Sequence, residues 1–361
     1  MKSIWTGYPK FKLKDEEGIP FDKIKTFPWL QVPYMVARGK FALTSWPWLD
    51  SAWAQASCEA LDKHVASSLD SPEVLIALAN SGLVSGKRIQ QLGGKYICDR
   101  PNSHIRFQRD ILVEEHKRWG YDFKMDDRAI AREEEEYATA DKVSMPSEFT
   151  KSSFIKMGVD ERKILKIPYG ANLHRFKKVA NPDPNKFTVL WVGQVILRKG
   201  FMYALEAFQK FKHPNKEFNV IGQLSAEIAE LVKKQDLTGV NFLGTVPNTL
   251  LSKKYSEANA FVLPSVEEGL AMVMGEALAC GCPVIASTNT GASDLFEHGK
   301  QGFIIDIRSS QAITDALQNL ADDADLQRRM SEAGMERVKS ISGWDRYGEL
   351  FATEVNKLAG Q

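Results

Sequence analysis

Two glutamates, Glu268 and Glu276, lie eight positions apart where a short polar turn leads into an apolar, helix-like stretch. At 3.6 residues per turn their directions on a helix differ by about 80°, so both can border one cleft. Gly269 lies in the turn, and the free amides at the start of a helix bind phosphate. Carboxylates repel phosphate but accept hydrogen bonds from sugar hydroxyls. The pattern favours a nucleotide-sugar ligand, although Glu276 alone can equally be a solvated charge on an amphipathic helix.

A second candidate segment lies earlier in the chain, where Lys199 stands between Gly193 and Gly200 after an apolar run. The ammonium group of a lysine is a mobile point charge suited to a diphosphate. The alternative interpretation is an ordinary solvated loop lysine.

Composition limits the classes of function. The chain has 361 residues, which predicts two domains, and its 47 Lys and Arg against 46 Asp and Glu give no basic excess for nucleic acid. The four cysteines lack the paired spacing of a zinc site and are too few for a disulfide scaffold, which favours a reducing compartment. The sequence shows no apolar run of membrane-spanning length and no secretory leader pattern. We therefore expect a cytoplasmic protein.

Short apolar runs alternate with helical stretches, which is typical of parallel sheets with crossover helices. Strands are expected at 73–79, 95–98, 142–145 and 163–167, and then at 187–192, 217–221, 240–243, 260–263, 283–286 and 302–305. The prolines at 182 and 184 interrupt this rhythm. We expect an N-terminal domain over 1–178, a linker over 179–186, a C-terminal domain over 187–342, and a last helix within 343–361 that returns toward the N-terminal domain.

Several segments together resemble the retaining glycosyltransferases of family 4. They are EGLAMVMGEALACGCPVIA (268–286), GASD (291–294), VGQVILRKG (192–200), VIG (220–222), FLGTVP (242–247) and IPYGAN (167–172). The resemblance covers roughly residues 95–351 and rests on the combination of motifs. It implies the α/β GT-B fold, in which two Rossmann-like, doubly wound domains face each other.

The resemblance also implies an activity and roles for individual residues. A sugar would pass from a UDP- or GDP-sugar to a saccharide or lipid-linked acceptor with retention of configuration and without a metal ion or cofactor, as in the synthesis of cell-surface polysaccharides. Lys199 would pair with the donor diphosphate, Glu268 would contact the donor sugar, and Glu276 would hold the ribose. Three further pairs of residues would complete the donor side. Gly193 and Gln194 would form the turn after the first strand of the donor domain, Gly269 and Leu270 would offer backbone amides to the phosphate, and Thr245 and Val246 would belong to the loop that flanks the base.

One position departs from the family pattern, because Gln194 stands where the family usually has an arginine. A neutral amide cannot offset the charge that develops on a leaving pyrophosphate. Arg198, next to Lys199, is the candidate substitute.

In the N-terminal half, a polar cluster follows the strand expected at 95–98 and contains Asp99, Arg100 and His104. If the domains face each other as the resemblance implies, these residues border the cleft on the acceptor side. His104 is the candidate for the histidine that the family places near the donor sugar, and its alternative is a local hydrogen bond at a helix start. The acidic run at 133–136 is interpreted as a solvated helix face.

Five of the eight tryptophans fall within the first 53 residues. The segments 27–30 and 46–49 are apolar and aromatic, with Lys23, Lys25, Arg38 and Lys40 nearby. They fit either core packing or a peripheral contact with anionic lipid. The strand, glycine turn and helix with which the family normally begins are absent from this region, so we expect an incomplete first domain in a late-starting or truncated chain. A nonhydrolysing sugar-nucleotide epimerase and a catalytically silent nucleotide-sugar-binding subunit are the alternative functions.

Overall fold

Strands and helices alternate through both halves of the chain, as the apolar periodicity predicts. The computed structural model describes residues 1–13, 19–40, 46–170, 175–341 and 343–360. Up to the linker, the strands are β1 (Ile4–Thr6), β2 (Ile24–Thr26), β3 (Val74–Leu78), β4 (Lys95–Asp99), β5 (Lys142–Met145) and β6 (Ile164–Lys166). The helices are α1 (Gln31–Lys40), α2 (Pro47–Ser67), α3 (Leu83–Gln91), α4 (Ile105–Arg118), α5 (Asp127–Thr139) and α6 (Glu148–Lys156).

The N-terminal sheet consists of β3 to β6, which pair in parallel in chain order. All four strands fall where the sequence predicts them, because their apolar side chains fill one core around Tyr96, Val143 and Phe154. The short strands β1 and β2 form a separate parallel pair. The sequence did not predict this pair, since three-residue strands leave little periodic signal.

After the linker, the strands are β7 (Phe187–Val192), β8 (Lys216–Ile221), β9 (Val240–Gly244), β10 (Ala260–Leu263), β11 (Val284–Ser287) and β12 (Gly302–Ile305). The helices are α7 (Phe201–Lys210), α8 (Ala226–Val232), α9 (Asn248–Ser256), α10 (Met272–Ala279), α11 (Ala292–Leu295), α12 (Ser310–Asp322), α13 (Ala324–Ser340) and α14 (Trp344–Leu358).

The six C-terminal strands form one parallel sheet in the order β12-β11-β10-β7-β8-β9. Strand β7 is fully buried along its length, as expected for a strand covered by helices on both faces. The chain proceeds from β7 toward β9 on one side and returns through β10 toward β12 on the other. The order therefore reverses between β7 and β10, and this switch point opens a crevice at the carboxyl ends of the two strands.

Helix α14 packs on the N-terminal sheet. Phe351 lies in one apolar cluster with Ile97 of β4, Leu165 of β6 and Ile167. This contact ties the last helix to the N-terminal domain. No helix among the described residues is long and apolar enough to cross a membrane.

The acidic run on α5 corrects one sequence interpretation, because only Glu134 and Glu135 of its four glutamates are in contact with solvent. Glu133 and Glu136 are buried. The Glu136 carboxylate accepts hydrogen bonds from the amides of Asn80 and Gly82, where α3 begins, and Glu133 pairs with Arg100 at 3.0 Å. Buried carboxylates need such partners to offset their lost hydration. Periodicity alone cannot reveal them.

Candidate active site

The crevice at the switch point brings two separate segments together. The turn after β7 carries Arg198 and Lys199 on a single 3₁₀ turn over Leu197–Lys199, and the turn after β10 carries Glu267 and Glu268. The backbone joins these turns directly, since the amide of Val266 donates to the carbonyl of Arg198 at 2.8 Å. Ligands bind at this position in open α/β sheets.

The side chains of these two turns form a cluster of two cations and two carboxylates. Lys199 Nζ lies 3.1 Å from Glu268 Oε2, and Arg198 reaches both Glu267 at 3.2 Å and Glu268 at 3.8 Å. Burial alone would lower the pKa of the Arg198 guanidinium, but the carboxylates of Glu268 and Glu267 raise it. Arg198 is therefore a second positive charge beside Lys199, and both cations contact Glu268 in the crevice.

Two glycines permit this close packing. Gly200 has φ +73°, and a Cβ there would lie 2.2 Å from the carbonyl oxygen of Pro264. At Gly269 a Cβ would lie 1.6 Å from the carbonyl oxygen of Pro101, which belongs to the N-terminal domain. A side chain at either position would push the turns or the domains apart.

Helix α10 begins at Met272, so Gly269 and Leu270 lie in the turn before it. Within the part of the chain that the structure describes, the amides of these two residues donate no hydrogen bond to a protein acceptor. Backbone amides of this kind are available to an anion.

Glu276 lies on α10 and is half-buried. Its Oε2 accepts a hydrogen bond from the hydroxyl of Tyr255 at 3.1 Å. Burial raises the pKa of the Glu276 carboxyl, and the bond from Tyr255 opposes this effect. The sequence did not single out Tyr255, since a tyrosine on a neighbouring helix gives no spacing signal.

The other donor-side positions lie around the same edge of the sheet. Gly193, with φ +135°, follows β7, and a Cβ there would stand 3.5 Å from Lys199 Nζ. Gln194 is exposed. Thr245 and Val246 follow β9, two strands away from β7, where Thr245 is exposed and Val246 packs against the core beside α9 and α10.

The three N-terminal candidates are each held by their own domain. Asp99 accepts a hydrogen bond from the hydroxyl of Ser144 at 2.6 Å, and burial raises the pKa of its carboxyl. Arg100 is buried and bound to Glu133. His104 is also buried; its Nδ1 accepts from the amide of Arg106 at 3.2 Å and so caps α4. These contacts match the local hydrogen bond that was the alternative interpretation of His104.

The N-terminal domain also contributes groups that sequence reasoning missed. The loop before α4 brings the backbone and hydroxyl of Ser103 to Glu267, and Ser147 donates to the carbonyl of Gly269 at 2.6 Å. Nothing in the spacing of these serines marks them, because the contacts exist only once the two domains meet.

No group of three His, Cys, Asp or Glu side chains with metal-site geometry occurs among the described residues.

The fold and the crevice define a class of protein. The chain has the GT-B fold: it aligns with sucrose-phosphate synthase from Thermosynechococcus elongatus at TM-score 0.68 and 22% identity, covering 86% of this chain and 78% of that one. It also aligns with HepE from Anabaena, solved in complex with UDP, at TM-score 0.66 and 18% identity over 82% of each chain.

The sequence comparison then gives the family. Residues 174–337 match the family of glycosyl transferases group 1, and the C-terminal domain therefore belongs to that family. A relative is the capsular polysaccharide biosynthesis glycosyltransferase CapM of Staphylococcus aureus, 28% identical over 200 residues, which make up 52% of this chain and 50% of CapM. The chain spans about half the length of the curated relatives it matches.

Proposed function

We propose that this chain is a retaining glycosyltransferase that moves a sugar from a UDP- or GDP-sugar to a saccharide or lipid-linked acceptor. One observation carries the proposal: in a group 1 glycosyltransferase domain, Lys199 and Arg198 meet Glu268 at the sheet's switch point. Two cations, a carboxylate and two available amides at this position fit a sugar joined to a diphosphate.

In the reaction we propose, the bond between the anomeric carbon and the diphosphate oxygen breaks, and the acceptor oxygen bonds to the same face of that carbon. The acceptor's proton passes to the leaving phosphate, so no protein nucleophile is required. Lys199 and Arg198 stabilise the charge that grows on the leaving group, a role worth several kcal/mol. Glu268, which pairs with Lys199 at 3.1 Å, turns to the sugar hydroxyls when the diphosphate takes its place on that lysine.

We propose that transfer needs neither a metal ion nor a cofactor. The support is the pair of cations beside the expected phosphate position, since they supply the charge that a divalent ion would supply there. Asp99 and Arg100 remain proposed acceptor-side residues, and His104 remains the proposed catalytic histidine near the donor sugar. Their hydrogen bonds fix the loop between β4 and α4.

We further propose that the acceptor side rests on the inner face of a membrane. Trp29, Trp46 and Trp48 are 75%, 62% and 72% exposed, so core packing does not account for them. Exposed tryptophans favour the lipid headgroup region. Lys25 on β2 is exposed, and its ammonium group lies over the ring of Trp5 on the paired strand β1. Its positive charge is complementary to anionic lipid.

Incubation with radiolabelled UDP- and GDP-sugars, with and without EDTA, tests the central proposal. We expect label in an added saccharide or lipid-linked acceptor, with EDTA making no difference. Arg198→Ala is expected to lose about 100-fold in rate or more, and Arg328→Ala, an exposed arginine on α13, serves as the control. Isomerised free donor would indicate the epimerase, and binding without turnover the silent subunit. Wild-type activity in Arg198→Ala would contradict the role given to that residue.

A further inference from the structure

Glu267 is a fully buried carboxylate that receives four hydrogen bonds. Its Oε1 accepts from the amide of Ser103 at 3.1 Å and from the Ser103 hydroxyl at 2.7 Å. Its Oε2 accepts from Gln108 Nε2 at 2.9 Å and from Arg198 Nη1 at 3.2 Å. Three of the four donors belong to the N-terminal domain, and the fourth is the cation assigned above to the donor phosphate.

The contacts continue into the N-terminal domain as a chain of charged and polar groups. Arg100 donates from Nη2 to Gln108 Oε1 at 2.8 Å, which turns the Gln108 amide nitrogen toward Glu267. The same guanidinium pairs with Glu133 on α5. The orientation of each group therefore depends on the next, from α5 through Arg100, Gln108 and Glu267 to Arg198.

Separation of the two domains would change how many donors share the negative charge of Glu267. A buried carboxylate needs partners to offset its lost hydration. Without Ser103 and Gln108, Glu267 keeps only Arg198 among these donors and competes with a phosphate for that guanidinium. With the domains together, three N-terminal donors share the negative charge, and Arg198 is held in place but less fully neutralised.

We propose that Glu267 is a positioning residue that makes Arg198 effective at the donor phosphate only when the N-terminal domain is seated on the C-terminal domain. The inference rests on the proposed function, because it assigns the phosphate of a nucleotide-sugar to Arg198. It adds a coupling between domain closure and the strength of the phosphate site.

A reciprocal exchange of side chains tests this coupling. Glu267→Gln places an amide nitrogen against the donors of Gln108 and Arg198. The double variant Glu267→Gln with Gln108→Glu restores the net charge and the donor–acceptor pair between positions 267 and 108, but it leaves an amide nitrogen facing Arg198. We expect Glu267→Gln to lower kcat by at least about tenfold. The donor KM should stay the same or fall, because a competing carboxylate is removed. The double variant should recover the wild-type unfolding midpoint but not the lost kcat, because Arg198 still lacks its carboxylate.

The measurements are steady-state kinetics with the donor that the wild type uses, titration with UDP and GDP, and the midpoint of thermal unfolding. Glu257→Gln, which neutralises a carboxylate paired with Lys253 on the surface, is the matched control. If the double variant does not fold, Ser103→Ala, which removes one donor to Oε1, should lower kcat while leaving the donor KM unchanged.

Wild-type kcat in Glu267→Gln, or in Ser103→Ala when that variant is used, would overturn the inference. So would a double variant that regains the wild-type kcat without a carboxylate at position 267. A wild type that neither binds UDP or GDP nor transfers sugar would overturn the proposed function and this inference with it. Binding and turnover with unaltered variant kinetics would overturn the inference alone.

Discussion

The side chains in the crevice are bound to one another before any ligand arrives. Lys199 and Glu268 are both largely buried and lie 3.1 Å apart, so a diphosphate must displace a carboxylate from its cation. This exchange favours a ligand that brings its own negative charge and then offers hydroxyls to the released Glu268. We therefore expect the crevice to prefer a sugar diphosphate over a bare sugar.

His104 illustrates how burial sets the behaviour of a residue. Its ring lies against Tyr137 and Phe154, and burial lowers its pKa to about 4. The folded protein therefore binds a proton at His104 less readily than the unfolded chain, whose value is about 6.5. The stability that this difference contributes is present above pH 6.5 and is lost as the pH falls toward 4.

Between pH 7 and pH 5, we predict that the unfolding free energy of the wild type falls by about 2 kcal/mol more than that of His104→Asn. Asparagine keeps a side-chain cap at the start of α4 but does not titrate. Urea unfolding of both proteins at the two pH values measures the difference. Equal pH dependence would contradict the buried, neutral state of His104, and the transfer rate of the same variant checks the proposed acceptor-side role.

At the scale of elements, exposed tryptophans lie on and next to the helices α1 and α2. Tyr34 on α1 donates to Asp50 on α2 at 2.9 Å, which fixes the two helices together, while Trp29, Trp46 and Trp48 point into solvent. Trp48 on α2, and Trp29 and Trp46 just before α1 and α2, can enter the headgroup region without unfolding of the helices.

We predict that the protein floats with vesicles containing anionic phosphatidylglycerol and stays below vesicles of phosphatidylcholine alone. The triple variant Trp29→Ser, Trp46→Ser, Trp48→Ser should lose most of this binding, because it removes the exposed aromatic area. Trp344→Ser, an exposed tryptophan on α14, is the matched control. Equal flotation of the triple variant, or no flotation of the wild type, would contradict the membrane contact.

Most elements could be predicted from the sequence because each has a local signal. The apolar runs at 187–192, 260–263 and 302–305 became β7, β10 and β12 with the expected bounds, and the last helix was predicted over 344–358. The resemblance assigned Lys199 and Glu268 to one donor site, with Arg198 as the neighbouring cation, and the structure brings the three side chains together. The expected IPYGAN motif is only partly visible, because Ala171 and Asn172 lie outside the described residues.

What the sequence did not reveal depends on pairing between distant segments. Glu267 reads as one more polar residue in a turn, and its role exists only because Ser103 and Gln108 approach from the other domain. Burial of Glu133 and Glu136 likewise depends on groups on other elements. Hydrophobic periodicity reports which face of an element is apolar but not which polar groups will satisfy each other.

At the scale of the whole molecule, the two domains meet through buried polar contacts on both sides of the crevice. Beyond Glu267, Glu115 on α4 is fully buried and accepts from the Tyr203 hydroxyl at 2.8 Å and from Arg308 at 2.7 Å. Arg308 has φ +64°, a strained backbone for a residue other than glycine, and its guanidinium reaches across to the N-terminal domain. These contacts hold α4 of the N-terminal domain against the C-terminal domain.

The central claim is that the crevice between β7 and β10 binds a nucleoside diphosphate through Lys199. Calorimetric titration of UDP and of GDP into the wild type, Lys199→Gln and Lys210→Gln tests it most directly, because Lys210 is an exposed lysine on α7 away from the crevice. We predict that the wild type binds one of the two nucleotides, that Lys199→Gln binds it at least about tenfold more weakly, and that Lys210→Gln binds it like the wild type. A wild type that binds neither nucleotide, or a Lys199→Gln variant that binds as tightly as the wild type, would contradict the claim.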